Sequence, residues 1–181
     1  MTKFKKEKLD QVCTVSKGKT GIAKAIPGIY SLVTTGQNRK TCNEYQFDTK
    51  AVCIPLVSST GHGKKTLNYV HYQEGKFALG TILAAVIPRD KNILDAKYLH
   101  LYLSFYKDDI LVPLMKGAAN VSLSIKDIKQ IYIPIPPIDI QKNVIYKMSL
   151  IDKFEKQIFK QKDLLDLLTT TLLREAFEQN I

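Results

Sequence analysis

The stretch Cys13-Thr-Val-Ser-Lys-Gly18-Lys19-Thr20 is one residue from the phosphate-cradling pattern G-x-x-x-x-G-K-[ST]. Cys13 stands where the first glycine belongs. That glycine lets the loop turn its N–H groups inward around a phosphate. Pro27-Gly28 also comes too soon for the helix such a loop requires, so the stretch reads as a basic loop. A second cluster, Gly61-His62-Gly63-Lys64-Lys65-Thr66, fails the same test, with Ser58 for the first glycine and Lys65 for Ser or Thr. Glu74-Gly75-Lys76, with Asp48 upstream, resembles the E-x-K of metal-dependent nucleases, where carboxylates hold Mg²⁺ and lysine steadies the attacked phosphate. Three-residue matches arise often by chance, and Gly75 between two charges fits a solvated hairpin turn better. His62, His71 and His100 show no paired ligand spacing. There is no Asn-Pro-Pro-Tyr-type stretch and no G-x-G after an early strand. The expectation is a non-catalytic protein with no cofactor and no metal.

Reading a base sequence takes different residues: Arg or Lys on guanine, Asn or Gln on adenine. Gln37-Asn38-Arg39-Lys40, after Gly36, holds all four types. A polar surface loop would have the same composition. Lys17, Lys19 and Lys24 are phosphate candidates in a glycine-rich loop. So are His62, Lys64 and Lys65, where Ser58, Ser59 and Thr60 add neutral hydrogen bonds. The clusters are better candidates than their individual members.

The elements that must hold these residues read as strands and turns. Candidate strands are residues 9–15, 29–34, 51–57, 69–72 and 81–87, the third an edge or bulged strand because Pro55 lies inside it. Asp95 is placed to cap a helix carrying Tyr98, Leu99, Tyr102, Leu103 and Tyr106 at helical spacing, an aromatic stripe for a core. Ser124 caps a short helix over residues 125–129. Three prolines within residues 134–137 make an extended connector.

From residue 138 to 180 there is no Gly and no Pro. One helix of about 60 Å would result. Steps of alternating three and four from Ile140 give eight apolar positions in eleven: Ile140, Val144, Ile151, Phe154, Ile158, Leu165, Leu168 and Leu172. A body of about 135 residues cannot bury that seam along its full length. The chain has no second long helix, so the expected partner is a second copy, with Val144, Ile151, Phe154, Ile158, Leu165, Leu168 and Leu172 as its dimerisation surface. A kinked helix folded onto the body is the alternative. The predicted architecture is α+β: a mainly-β domain with short helices over residues 1–137, then a dimerisation helix over residues 138–181.

The charge is uneven. Of 27 basic and 17 acidic residues, residues 1–131 hold 20 and 10, and residues 132–181 hold seven of each. A basic body with a neutral tail fits a polyanion on the body. Lysine supplies 24 of the 27 cations, so a lysine-rich genome would produce part of this bias. Three cysteines without a CxxC pair point to a reducing cytoplasm. No apolar run reaches a membrane span, and the charged N-terminus does not read as a secretory signal.

The segment Ser122-Leu-Ser124-Ile-Lys-Asp127-Ile-Lys-Gln-Ile131-Tyr-Ile133-Pro134-Ile-Pro136-Pro137-Ile-Asp-Ile-Gln141 closely resembles the end of a target recognition domain in specificity subunits of type I restriction–modification systems. Leu172-Leu173-Arg174-Glu175-Ala176-Phe177, residues 8–13 and residues 75–82 are similar to other parts of that family. The resemblance implies a DNA-reading, mainly-β target recognition domain and a coiled-coil spacer helix, with no catalysis of its own. Partners would be double-stranded DNA, DNA methyltransferase subunits and, in restricting assemblies, an endonuclease–translocase. Two departures stand out. The usual subunit carries two recognition domains and two helices, and here there is one of each, so a homodimer would rebuild the pair. Asn120-Val121-Ser122 also differs from the family's usual loop.

Three readings compete: a DNA-specificity half-subunit, a small nuclease using Asp48, Glu74 and Lys76, or a nonspecific nucleic-acid scaffold. A divalent-metal cleavage assay separates the first two, and competition between selected and random duplexes separates the third.

Overall fold

The computed structural model describes residues 4–60 and 63–178. It divides into two compact units, residues 1–142 and 143–181.

The first unit is mixed α and β. A short strand β1 (Lys6–Lys8) leads into one helical turn, α1 (Leu9–Val12), and then β2 (Cys13–Lys17). The expected strand over residues 9–15 is thus half helix. Leu9 and Val12 are three apart, which fits one face of a turn as well as it fits loose alternation. The Gln11 side chain accepts from Lys8 N at 3.2 Å and closes the turn.

Seven more strands come next: β3 (Tyr30–Val33), β4 (Lys40–Cys42), β5 (Phe47–Asp48), β6 (Ala51–Pro55), β7 (His71–Gln73), β8 (Lys76–Leu79) and β9 (Leu83–Pro88). Two four-stranded sheets result. One is antiparallel, in the order β2-β9-β6-β7, and the other runs β4-β3-β8-β5 with β3 and β8 parallel. The strand expected to be an edge or bulged strand, β6, is internal to its sheet and buried throughout. Pro55 is tolerated because β7 pairs only as far as Cys53, so on that flank no ladder bond is lost. Glu74 and Gly75 do not close a hairpin. They carry the chain from β7 in one sheet to β8 in the other, with Gly75 at φ 75°.

Strand alternation makes the core. Ala51, Cys53, Leu83 and Ala85 of the first sheet meet Val33, Phe77 and Leu79 of the second. The other face of the first sheet presents Val52, Ile54, Ala84 and Val86, all fully buried. Asp95 caps α2 (Ala96–Phe105), accepting from Lys97 N at 2.7 Å and Tyr98 N at 3.4 Å. Tyr98, Leu99 and Leu103 are buried, whereas Tyr106 at the end of the expected core stripe is exposed.

After α3 (Lys107–Ile110), Ser124 caps α4 (Ile125–Lys129), accepting from Asp127 N at 3.0 Å. The proline connector is extended, and β10 (Tyr132–Pro134) pairs with β1 in a separate two-stranded sheet. The last element, α5 (Ile138–Glu178), is one uninterrupted helix of 41 residues. Its first turn belongs to the first unit. Throughout the second unit its apolar seam is exposed: Val144, Ile151, Phe154, Leu165, Leu168 and Leu172, and Ile158 at 62%.

Candidate nucleic-acid interface

Strand register brings several loops to one end of the paired sheets. β2 ends at Lys17 opposite Ala84, and β6 ends at Pro55 opposite Leu83. β3 ends at Val33 beside Leu79, β4 begins at Lys40 opposite Leu32, and β7 begins at His71 opposite Cys53. Backbone bonds tie the connecting segments together: Thr20 N to Leu79 O at 3.0 Å, Gly80 N to Val33 O at 3.0 Å, and Leu56 N to Ile82 O at 2.8 Å. The segment after Lys116 joins them, with Ser58 N donating to Val121 O at 3.0 Å.

This end is chemically one-sided. Residues 17–22, 34–40, 57–69, 80–82 and 116–122 contain Lys17, Lys19, Arg39, Lys40, Lys64, Lys65 and Lys116, and not one Asp or Glu. Of these, Lys116 meets a carboxylate from outside the set, Asp127 of α4, at 3.2 Å. Asp127 is held below the usual carboxylate range by its bonds to Ser124 and Lys116.

Each loop has its own scaffold. The Gln46 side chain pins the first: its Oε1 accepts from Lys19 N at 2.8 Å and its Nε2 donates to Lys17 O at 2.9 Å. Both lysines are left exposed. Gly18 is there for packing, since a Cβ would overlap the backbone oxygen of Gly80. The phosphate-loop likeness therefore has a structural origin, and Cys13 to Lys17 is strand. Lys24 is elsewhere. It lines a cleft of about 510 Å³ with Lys19, Asn43, Glu44, Tyr45 and Gln46 beside the second sheet.

In the third loop Thr66 Oγ1 meets Thr60 Oγ1 at 2.7 Å and Ser58 Oγ at 3.3 Å. Ser59 Oγ accepts from Asn68 N at 2.9 Å. These bonds present Lys64 and Lys65 to solvent. His62 lies outside the described residues.

The loop from residue 34 to 40 leaves Gln37, Asn38 and Lys40 exposed. Arg39 is not a free fork. Its Nε donates to Gln73 Oε1 at 3.0 Å, its Nη1 to Gln37 O at 3.3 Å and His71 Nδ1 at 3.2 Å, and its Nη2 to Tyr72 O at 3.2 Å. Asn68 and Tyr69, both exposed just ahead of β7, and Asn120 in the neighbouring loop lie beside these residues and were not singled out from the sequence. Tyr69 Oη lies 3.5 Å from Gln37 Oε1. The adjacent amide and aromatic were the available signal.

The nuclease candidates come together only in part: Asp48 of β5 pairs across the ladder with Lys76 of β8, but the side chains of Glu74 and Lys76 are engaged elsewhere. The Glu74 carboxylate takes the Tyr72 hydroxyl at 2.7 Å and faces Lys50 at 3.9 Å, while the Lys76 ammonium lies over the Tyr45 ring at 5.0 Å. Among the described residues no group of three or more His, Cys, Asp or Glu is placed to hold a metal ion. No described helix is long and apolar enough to cross a membrane.

The chain belongs to the type I restriction modification DNA specificity domain family, whose model matches residues 1–165. Its fold is similar to that of a type I restriction–modification S subunit from M. genitalium, with a TM-score of 0.66, 19% identity, and coverage of 83% of this chain and 39% of that one. The HsdS subunit from Thermoanaerobacter tengcongensis matches with a TM-score of 0.57 and 20% identity, over 83% of this chain and 38% of that one. A chain from a structure describing assembly and conformational transition of the type I R-M system matches at 0.60 and 19%, over 84% and 39%. The chain thus spans about two fifths of each of these structures. No curated protein matches it.

Proposed function

We propose that this chain acts as a non-catalytic DNA-specificity module. It reads double-stranded DNA through the basic loop end of its sheets, and it pairs with a second copy through α5. The observation carrying the reading is the convergence of four basic loops, from distant parts of the sequence, with no acid among them. Lys17, Lys19, Lys64 and Lys65 hold phosphates, and Lys24 extends the cationic surface along the flank. Gln37, Asn38 and Lys40 present base-reading groups, and Ser59 and His62 belong to the same phosphate loop. Two copies place two such ends on one duplex, giving a bipartite target. DNA methyltransferase subunits, and in restricting assemblies an endonuclease–translocase, supply the chemistry from a cytoplasmic complex.

The test is a salt series on the full chain. If a dimer neutralises about 6–10 phosphates, affinity for any duplex falls roughly a thousandfold or more between 50 and 200 mM salt. Lys64→Ala with Lys65→Ala should weaken selected and scrambled duplexes alike and flatten the slope. Affinity indifferent to salt would remove the basic end as a DNA surface.

A further inference from the structure

We propose that Arg39 is a positioning residue of the DNA-reading loop. It ties residues 34–40 of one sheet to edge strand β7 of the other, and so fixes where Gln37 and Asn38 present their amides, without touching a base itself. The inference rests on the DNA-reading assigned above to this end of the fold.

Four of the five guanidinium N–H donors are committed within the protein, to Gln73, Gln37, His71 and Tyr72. Reading guanine takes two donors on one base edge, and only one remains. The four partners divide in an informative way. One, the Gln37 carbonyl, is in the reading loop, and the other three are on β7. Tyr69 adds a second tie from the segment leading into β7, its hydroxyl on Gln37 Oε1. The exposed part of the loop, Gly36 to Asn38, therefore hangs on a fork anchored in the other sheet.

His71 shows that the anchor is built in. Arginine only donates, so Nδ1 must accept and the ring must be neutral. His71 is buried, 5% exposed, and its ring stacks on Tyr69 with centroids 5.9 Å apart. Burial first, then Arg39 and His100, push its pKa down to about 4, so the acceptor form prevails at neutral pH. A lysine could keep the charge but not the four-way geometry.

The test is selection from a randomised duplex pool at low salt. It uses the full chain as wild type, Arg39→Ala, Arg39→Lys, Gln73→Ala and the Arg39→Ala/Gln73→Ala double variant. Hydrogen exchange of the 35–40 amides is measured alongside. A wild type that enriches a sequence should lose discrimination at the same base positions in all variants, roughly tenfold for Arg39→Ala. Arg39→Lys and Gln73→Ala keep the net charge and should leave affinity for scrambled duplex unchanged, Arg39→Ala should lower it slightly and equally for every duplex, and the double variant should be no worse than Arg39→Ala alone. Exchange should quicken in the loop and not in β6 or β9. If Arg39→Ala alters one base pair while Gln73→Ala behaves as wild type, Arg39 reads a base directly and the proposal falls. Wild-type behaviour of Arg39→Lys overturns it too, because only charge would then matter. A wild type that enriches nothing overturns the DNA reading, and this proposal with it, and that fault is visible without any variant.

Discussion

The Gln141 side chain closes the start of the long helix onto the start of α2: its Oε1 accepts from Asp95 N at 2.9 Å. Its Nε2 donates to Ile93 O and Pro136 O, both at 2.8 Å. Gln141 is fully buried. The proline-rich connector thus ends on an amide that satisfies one donor and two acceptors the protein would otherwise bury unpaired.

Gln141→Leu should therefore cost roughly 3 kcal/mol in unfolding free energy, since leucine fills similar space and pairs with none of the three groups. Gln141→Glu should do no better at neutral pH, because a carboxylate cannot donate to two carbonyls. Urea denaturation checks both, and a change below about 0.5 kcal/mol for leucine would show that the three bonds contribute little.

The seam of α5 should hold the dimer together. Ile158, exposed in the single chain, would be buried in a pair of helices. Ile158→Asp would place an unpaired carboxylate in that seam at a cost of several kcal/mol. Light scattering should report a dimeric wild type and a monomeric variant, with the circular dichroism of the β-rich unit retained. A wild type that is monomeric at tens of micromolar would remove the helix as a self-association surface.

His71 gives the fold a pH dependence of definite sign. Its folded pKa, about 4, lies below the ordinary 6.5. The stability this contributes is present in full above about pH 6.5 and is lost as pH falls toward 4. The stability advantage of wild type over His71→Asn should shrink across that window. Carboxylates elsewhere cancel in the difference. An advantage constant from pH 7 to 4 would mean that His71 titrates normally.

What the sequence discloses depends on how local each cause is. The caps at Asp95 and Ser124 act within one turn, and both are readable from the capping residue and the helical turn after it. The long helix is readable because no Gly or Pro interrupts it. The placement of β6 is not. Pro55 reads as an edge signal, and only the stopping point of β7 makes an internal site acceptable. The parallel pairing of β3 with β8 joins residues 31–33 to residues 77–79, a contact no local pattern encodes. The basic clusters could be listed from composition, but their convergence depends on strand register. Three of the four bonds of Arg39 depend on a strand some 30 residues away.

The central claim is that one short chain, used twice, specifies DNA. The most direct measurement is the sequence enriched from a randomised duplex pool by the full chain together with a methyltransferase subunit of its system. The expected result is two copies of one half-site in inverted order, separated by a spacer of fixed length and indifferent sequence. A single half-site, two unrelated half-sites, or no enrichment over random duplex would contradict it.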